Sequence, residues 1–598
     1  MLSVKEHLSA IKLSSFAISI VILVCFLIDF SFKNWEKQNR VIEHDVHSYY
    51  AYLPAKFIYD DIKIEKSTYR LADNYYMFWP SYTDKGAAVI KTTMGVAIMY
   101  SPFFFVAHIY ASLTHYPENG FSEPYKIFLM LSSIFFLLVG LGFLRKTLQH
   151  FSFSDYHVAI TILLVGLGTN LLCYSSQSAT MSHSYSFCLI SVFVYYSIKW
   201  HENHAISTTI VLGILLGLIT LIRPTNIIIV VFFALYNVSS LKDFSHRLSL
   251  FRKECFLINL IILFAFLVWI PQLLYWKTVT GNYFYYSFSD ERFFFDRPRI
   301  IEGLFSFRKG WLVYTPMMAF SIIGLFIPAP DQKKIRSGIF LFLAINIYII
   351  FSWWCWWYGG SFGQRSMIDC YALLSLPIAF LVRYITMQKR MLNILFYLVA
   401  AFLIWLNIFQ TFQYEKLTLH WEGMTKELYF KQFGRLEKVP EYEDLVSYPD
   451  FEQAKKGNSF DATPSSYKKA AELKNSFFIT AFDNMYVCAE SDSLLYANKS
   501  VGSTWETFVF ENHEKDLVSL RAHTGMFVSA EITHNKEITA KRKEAGGWEK
   551  FVVVRLEKDV VAFKAFNGKF LTIDDNNRQL FAISDSIGIK ERFRIIPQ

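Results

Sequence analysis

Leu13 to Phe32 (LSSFAISIVILVCFLIDFSF) leads into Glu43-His44-Asp45-Val46-His47-Ser48-Tyr49-Tyr50-Ala51-Tyr52-Leu53-Pro54, and this junction decides how the chain is read. The first part is an apolar run about 20 residues long, enough to cross a bilayer as a helix at ~1.5 Å per residue. Lys5 and Lys12 precede it and no small-residue cleavage site follows, so it is expected to be a retained span rather than a signal peptide. The second part sets two carboxylates, two histidines and three tyrosines where a membrane surface begins, a level at which aromatic residues usually form a belt. An acidic pair there also suits a site that handles a polar substrate at headgroup depth.

Working outward, similar apolar runs recur at 94–112, 126–144, 157–173, 182–200, 206–222, 225–238, 256–276, 311–328, 337–357, 369–385 and 391–410. The expected fold class is therefore an α-helical polytopic membrane domain of about 11–13 transmembrane helices over residues 1–410, since a bilayer admits only helices or closed barrels. Of the 598 residues 53% are hydrophobic and 18% charged, which fits a membrane body with a soluble appendage. The net charge of +9 lies in loops between spans rather than in a basic stripe with interleaved aromatics, so no nucleic-acid partner is expected. Seven scattered cysteines without a C-x-x-C pair give neither a zinc site nor a disulfide framework.

The loops set orientation. Arg145-Lys146, Lys199, Lys242 to Lys253, Lys333-Lys334-Arg336 and Lys389-Arg390 carry the positive excess and belong to the cytoplasm. Loops 174–182, 277–310 and 358–368, and the Arg223-Pro224 junction, are then external, as is the first large loop, 33–93. Counting forward puts 113–125 inside, whereas counting backward puts it outside, so one crossing between 94 and 144 is miscounted.

Beyond residue 410 the character changes. Residues 411–474 read as a connecting segment, and 475–598 as an all-β domain of three repeats. Ile479-Thr480-Ala481, Leu520-Arg521-Ala522 and Phe563-Lys564-Ala565 correspond. So do Tyr496-Ala497, Thr539-Ala540 and Phe581-Ala582, and then Trp505-Glu506-Thr507-Phe508, Trp548-Glu549-Lys550-Phe551 and Lys590-Glu591-Arg592-Phe593. Short alternating strands broken by Asn, Gly or Asp turns at a period of about 42 residues resemble a fascin-like β-trefoil, with phenylalanines and tryptophans expected on the pseudo-threefold axis. The resemblance implies a recognition module for glycan or protein and no chemistry of its own.

Candidate site residues lie on the external side. They are Asp45 and Glu43 with His44, Tyr49 and Tyr50; Lys85 and Lys91; His183; Arg223; Arg308; and Gln364, Arg365 and Asp369. Most boundary aromatics and loop cations have ordinary roles in the belt and in topology. Arg223, Gln364-Arg365, Asp369 and Asp45 are different, because topology would not place them together on this face. Cations could hold a lipid phosphate while an Asp activates an acceptor hydroxyl.

Asp45 followed by Tyr49-Tyr50-Ala51-Tyr52-Leu53-Pro54 resembles the first external loop of GT-C glycosyltransferases, the polyprenyl-phosphate-sugar-dependent membrane enzymes related to protein mannosyltransferases. Met94 to His108, Met181 to Phe187, Arg223-Pro224, Gly359 to Asp369 and His420 to Glu427 are similar to a bacterial branch of that superfamily. The resemblance implies an inverting transferase, moving a sugar from a polyprenyl-phosphate carrier to a glycan, lipid or protein acceptor at the outer face of a bacterial cytoplasmic (inner) membrane. Asp45 would be the catalytic base, with Glu43 as a supporting candidate; where better-known members pair two acidic residues side by side this chain has His44-Asp45-Val46, so the second carboxylate stays open. Arg223, Arg365, Lys85, Lys91 and Arg308 would bind the donor phosphate, and His44, Tyr49, Tyr50, His183, Gln364 and Asp369 the substrate. The resemblance implies no need for a nucleotide cofactor, with a divalent metal used in only some branches, and the positive-loop count after residue 330 puts the trefoil on the external, periplasmic side. The alternatives are a non-enzymatic transporter or flippase of lipid-linked glycans, and a sensor whose ligand domain is the trefoil.

Overall fold

The computed structural model describes residues 12–37, 40–64, 78, 80–83, 85–449, 451–458, 476–490, 492–514, 517–531, 537–543, 545–557 and 559–597. The chain divides into two compact units, residues 1–460 and 461–598.

The first unit is helical. Among the described residues its helices are α1 (Leu13–Phe32), α2 (His44–Tyr50), α3 (Tyr52–Phe57), α4 (Gly95–Ser112), α5 (Glu123–His150), α6 (Asp155–Leu167), α7 (His183–Asn203), α8 (Ile206–Ile222), α9 (Val230–Leu235), α10 (Leu241–Lys253), α11 (Cys255–Thr280), α12 (Ile300–Phe305), α13 (Trp311–Tyr314), α14 (Met318–Gly324), α15 (Lys333–Ser352), α16 (Tyr371–Thr386), α17 (Arg390–Glu415) and α18 (Lys426–Gln432), followed by single turns at Tyr442–Leu445 and Phe451–Lys455. Among the described residues seven segments are long and apolar enough to cross a membrane: Leu13–Glu36, α4, α5, α11, α15, Arg365–Thr386 and α17. Asp155–Leu167, Ile206–Ile222 and Pro224–Leu235 are shorter apolar helices. Three expected spans thus differ in form. The 157–173 run stops as a helix at Leu167, the 225–238 run opens as a 3-10 turn over Pro224–Ile229, and the 311–328 run breaks between α13 and α14.

Contacts at the helix ends sort them onto two faces. On one face Ser14 N donates to Asp155 Oδ2 at 3.1 Å, His157 meets Thr386 at 3.0 Å, and Asn237 N donates to Lys334 O at 2.5 Å. On the other, Lys37 meets Glu415 at 2.7 Å, Asp45 meets Arg365 at 2.7 Å, and Phe294 N donates to Ser352 O at 2.6 Å. Among the described residues, α1, α5, α6, α7, α8, Pro224–Leu235, α11, the α13–α14 pair, α15, α16 and α17 run from one face to the other. α4 does not. Just before it, Thr93 donates to Leu221 O and Met94 N to Gln272 Oε1. Just after it, the Asn119 and Gly120 carbonyls accept from Tyr59 and Tyr50, at 2.8 and 2.5 Å. Both ends therefore lie on the Asp45 face, although the helix is apolar enough to span. α4 is the miscounted crossing, and with it removed both counts put 113–125 on the side of 33–93.

Close helix contact is built from glycine. A Cβ on Gly213 or Gly217 of α8 would lie 2.7 or 2.8 Å from the Ile261 or Ala265 carbonyl oxygen of α11. Small residues four apart let two apolar helices pack backbone to backbone where no hydrophobic drive from water exists. α7 is tied to α5 by polar contacts instead, Ser133 to Ser184 at 2.7 Å and Ser132 to Tyr185 at 2.5 Å.

The expected connector does not stand apart. Residues 416–458 fall within the first unit, where Ser361 N donates to Trp421 O at 2.9 Å and Ser447 N to Gly423 O at 2.9 Å; residues 459–475 lie outside the described residues.

The second unit is a β-trefoil by connectivity. Six strands close a barrel in the order β3 (Ser476–Thr480), β6 (Thr507–Glu514), β7 (Leu517–Ala522), β10 (Lys550–Arg555), β11 (Val560–Lys564), β14 (Phe593–Pro597) and back to β3. Three hairpins cap one end: β4–β5 (Tyr486–Ala489, Leu495–Lys499), β8–β9 (Phe527–Ala530, Ile538–Arg542) and β12–β13 (Phe570–Ile573, Leu580–Ser584). They meet through Leu494 with Thr539, Tyr496 with Gln579 and Glu537 with Phe581, and each carries its register shift at the equivalent residue. Ala497, Ala540 and Ala582 are buried there, where a larger side chain would hold the strands apart.

Phe508, Phe551 and Phe593 fill the core as expected, but Trp505 and Trp548 are half-buried outside it. The glutamate beside each has a role the repeat did not disclose. Glu506 accepts from Ser503 N at 2.9 Å, Glu549 from Gly546 N at 2.8 Å and Glu591 from Gly588 N at 2.8 Å. Each buried carboxylate pins the turn that feeds a barrel strand. A pair β1 (Ser81–Tyr82) and β2 (Ala88–Val89) forms a small hairpin in the first unit.

Candidate active site

Short helices set the depth of the site. α6 has 13 residues, about 20 Å, against a hydrocarbon core of about 30 Å. The chain from 168 to 182 then continues as irregular backbone, which is tolerated at such depth only inside protein or along a cavity. α8 likewise stops at Ile222, and Arg223 and Pro224 follow in extended and 3-10 conformation. Opposite them, Gly359 to Asp369 turns back into the helix bundle. Gly363 has φ +57°, and a Cβ there would meet Tyr314 Cβ at 2.7 Å, so this position takes only glycine readily.

Two ion pairs occupy the space so made. Arg365 Nη2 lies 2.7 Å from Asp45 Oδ2, with the arginine side chain 14% and the aspartate 41% exposed. Arg223 Nη1 lies 3.2 Å from Asp369 Oδ2, with the aspartate 3% exposed. Asp369 also accepts from Asn226 Nδ2 at 3.0 Å, and His183 Nδ1 stands 3.9 Å from its other oxygen. Arg223 reaches Ser182 Oγ at 3.4 Å, and Tyr49 lies within the field of Asp45, Arg223 and Arg365. Asp369 is thus consumed in holding Arg223, whereas Asp45 faces an opening. Asp45 sits in the first turn of α2, where the free backbone N–H groups favour a carboxylate. Burial pushes its carboxyl upward, but the Arg365 guanidinium outweighs this, helped by Lys91, and holds it below the usual carboxylate range.

The remaining candidates separate into those near this centre and those away from it. Lys91 lies at its edge, 2.5 Å from Glu291 and over the Phe288 ring. Glu43 stands at the N-cap position of α2 without a side-chain capping bond and pairs with Arg40 at 3.6 Å, while Arg40 turns to Glu415; burial raises the Glu43 carboxyl despite Arg40. His44 is exposed at φ 50°. Tyr50 points away to Gly120 O among Tyr100, Phe104 and Phe121. His183 is buried against Tyr174 with ring centroids 4.8 Å apart. Gln364 donates to Trp356 O at 2.7 Å and shapes the turn rather than facing the opening. Lys85 is exposed in the β1–β2 turn. Arg308 is buried and donates to Glu422 O at 3.0 Å and Ser447 O at 2.9 Å, tying 420–447 to the site loops.

Residue-type reasoning left out Glu291 and gave no site role to Ser182, Asn226, Lys309 or Glu422, although each lies in a stretch the sequence singled out. Lys309 donates to Ser361 O and Trp421 O, directly beneath the loop that carries Arg365. Glu422 accepts from Trp357 Nε1 at 2.8 Å. Burial lowers the Lys309 ammonium and raises the Glu422 carboxyl, each opposing the other's shift through their attraction. The Arg308-Lys309 dipeptide and the His420 to Glu427 stretch are the signals of this clasp in the sequence. Among the described residues no group of three or more His, Cys, Asp or Glu is placed to hold a metal ion. Asp45 and Asp369 each face a guanidinium, so the site's carboxylates do not form a metal cradle.

Fold and site together define a class: a multi-pass membrane protein with a charged site sunk into one face and a β-trefoil appended. No curated protein matches the chain. One family model, described as a domain of unknown function (DUF7910), matches residues 514–598, within the trefoil. Among solved structures, the apo oligosaccharyltransferase of Archaeoglobus fulgidus is 12% identical, with 72% of this chain and 59% of that one covered, at a TM-score of 0.38. The S. cerevisiae protein O-mannosyltransferase Pmt1-Pmt2 complex bound to the sugar donor is 8% identical, with 98% and 63% covered, at 0.22. The chain therefore spans less than two thirds of either enzyme. The designed three-fold symmetric protein ThreeFoil is 15% identical, with 20% of this chain and 97% of that one covered, at 0.19. Scores this low add nothing to what the residues themselves show.

Proposed function

We propose that this protein is a GT-C-type membrane glycosyltransferase that moves a sugar from a polyprenyl-phosphate carrier to an acceptor hydroxyl at the outer face of a bacterial cytoplasmic membrane. The observation that carries the reading is the half-open Asp45–Arg365 pair, 2.7 Å apart, beside an Arg223 fixed by Asp369 and Asn226. In the free protein Arg365 keeps Asp45 a weak base. A donor phosphate that engages Arg365 and Arg223 draws the guanidinium's charge onto itself and lets the Asp45 carboxyl rise, so basicity appears when substrate is present. The acceptor oxygen then attacks the anomeric carbon and its proton passes to Asp45. The bond from that carbon to the phosphate oxygen breaks, its electron pair leaving with polyprenyl phosphate, and the configuration at the carbon inverts. Lys91 would add charge at the edge of the phosphate site, and Tyr49 would orient the sugar.

The outer-face assignment is supported by the cationic loops. Arg145-Lys146, Lys199, Lys242 to Lys253 and Lys389-Arg390 all flank helix ends on the face opposite Asp45. α17 ends on the Asp45 side, which supports an external trefoil whose role is to hold a glycan or surface acceptor. In membranes supplied with a labelled polyprenyl-phosphate sugar, Asp45→Asn is expected to abolish transfer while the carrier is still bound. Transfer at the parental rate would remove Asp45 as the base.

A further inference from the structure

On the face opposite Asp45, the amphipathic helix α10 closes over a cavity of about 730 Å³ whose wall carries Arg247, Lys334 and the imidazoles of His150, His201, His204 and His246. Arg247 is the unusual member. It is 9% exposed, its Nη1 donates to His201 Nδ1 at 2.5 Å, its Nη2 donates to the Tyr236 carbonyl, and its Nε–H has no partner. His201 Nε2 lies 2.8 Å from Phe233 O. A carbonyl only accepts, so Nε2 carries the ring proton, Nδ1 is the acceptor, and the ring is neutral. Arg247 is thus a buried cation held by neutral groups and by the face of Phe251, 5.7 Å from the ring centroid.

The carboxylates on the same wall are engaged elsewhere. Glu202 pairs with Lys199 at 2.9 Å and His150 at 3.5 Å, and Asp331 with Lys334 at 3.3 Å. Asp243 accepts from Ser239 N and Oγ at the start of α10. A buried charge without an opposite charge is costly unless a ligand supplies one, and a guanidinium offers five N–H groups of which two are used. The exposed side chains of α10, Leu241, Phe244 and Leu248, form the apolar side of a helix suited to lie at a headgroup layer.

We propose that this cavity binds a phosphate group against Arg247, supplied by an anionic phospholipid of that leaflet or by free phosphate. The site is separate from the Asp45 centre and stands whether or not the chain transfers sugar. The test uses the full-length protein in nanodiscs of phosphatidylglycerol or phosphatidylcholine, counting retained lipid by native mass spectrometry, and in detergent titrated with inorganic phosphate by calorimetry. Selective retention of phosphatidylglycerol identifies a lipid headgroup, and saturable binding of inorganic phosphate identifies the free ion. In either case Arg247→Gln should weaken binding about tenfold or more, the loss of a charged hydrogen-bond donor. Leu250→Trp, which fills the cavity and leaves the bonds of Arg247 in place, should do the same and decides the matter if Arg247→Gln does not fold. Binding of neither probe by the parent, or binding by both variants at parental strength, overturns the proposal.

Discussion

Replacing Arg365 by Gln isolates the electrostatic core of the site. The substitution leaves Asp45 without the guanidinium 2.7 Å away while its surroundings stay partly desolvated. Breaking one side of a fully buried pair costs about 3–5 kcal/mol. With the aspartate side chain 41% exposed, solvent screening reduces that to about 1–3 kcal/mol at neutral pH. The pH dependence follows from sign. The folded-state carboxyl lies below its usual value, so the pair stabilises the fold above about pH 4 and the contribution is lost as pH falls through the depressed value. Thermal midpoints of purified protein in detergent should therefore separate the parent and Arg365→Gln at pH 7 and converge near pH 3. Asp45→Asn in the Arg365→Gln background should recover part of the loss, because it removes the stranded charge. In transfer assays the same reasoning moves the acid limb of the Arg365→Gln rate profile to higher pH, since burial then acts on Asp45 against only the weaker pull of His44 and Lys91. A gap in midpoint equal at pH 3 and pH 7, with additive single-variant losses, would refute the coupling.

Other consequences follow from packing. Gly217→Val inserts carbon where even a bare Cβ would lie 2.8 Å from the Ala265 carbonyl oxygen, and a loss of about 1–3 kcal/mol in detergent stability is expected, with Ala tolerated better. Gly95→Ala puts a Cβ 2.4 Å from Ile222 N, one residue before Arg223, so donor binding should weaken more than thermal stability falls. Lys309→Met should raise the KM for the carrier with kcat largely kept, because Lys309 clasps the Ser361 and Trp421 carbonyls under the Arg365 loop and touches no reacting atom. Glu549→Ala should cost about 0.5–2 kcal/mol and speed hydrogen exchange at Gly546 in the trefoil while leaving the membrane unit's exchange unchanged.

The apolar spans and the threefold repeat were legible because both are periodic along the chain: hydropathy repeats at the length of a bilayer, and Ala, Phe and Glu recur about every 42 residues. α4 shows where that reasoning stops. Hydropathy measures whether Gly95–Ser112 is long and apolar enough to cross, but which side its ends reach is fixed by Tyr50, Tyr59, Thr93 and Met94 binding distant backbone and side chains. The loops' charge pattern revealed the inconsistency without locating it.

In the site, Asp45, Arg223, Arg365 and Asp369 were recognisable as charges out of place, yet their pairing spans 320 residues for Asp45 with Arg365 and 146 for Arg223 with Asp369. No local pattern encodes such a choice of partner. Gln364 and Tyr50 drew attention by residue type and turned out to bond backbone, whereas Lys309 and Glu422 looked like ordinary loop charges and are buried together. The capping glutamates of the trefoil were visible in the alignment of repeats, but their purpose needed the turn geometry.

The most direct test of the central claim is transfer by the purified full-length protein, reconstituted in vesicles with a polyprenyl-phosphate sugar of known anomeric configuration and a soluble sugar or lipid acceptor. The account predicts a glycosidic product of inverted configuration with stoichiometric release of polyprenyl phosphate, lost in Asp45→Asn. Movement of the intact carrier across the bilayer with no glycosidic bond formed, or a product of retained configuration, would contradict it.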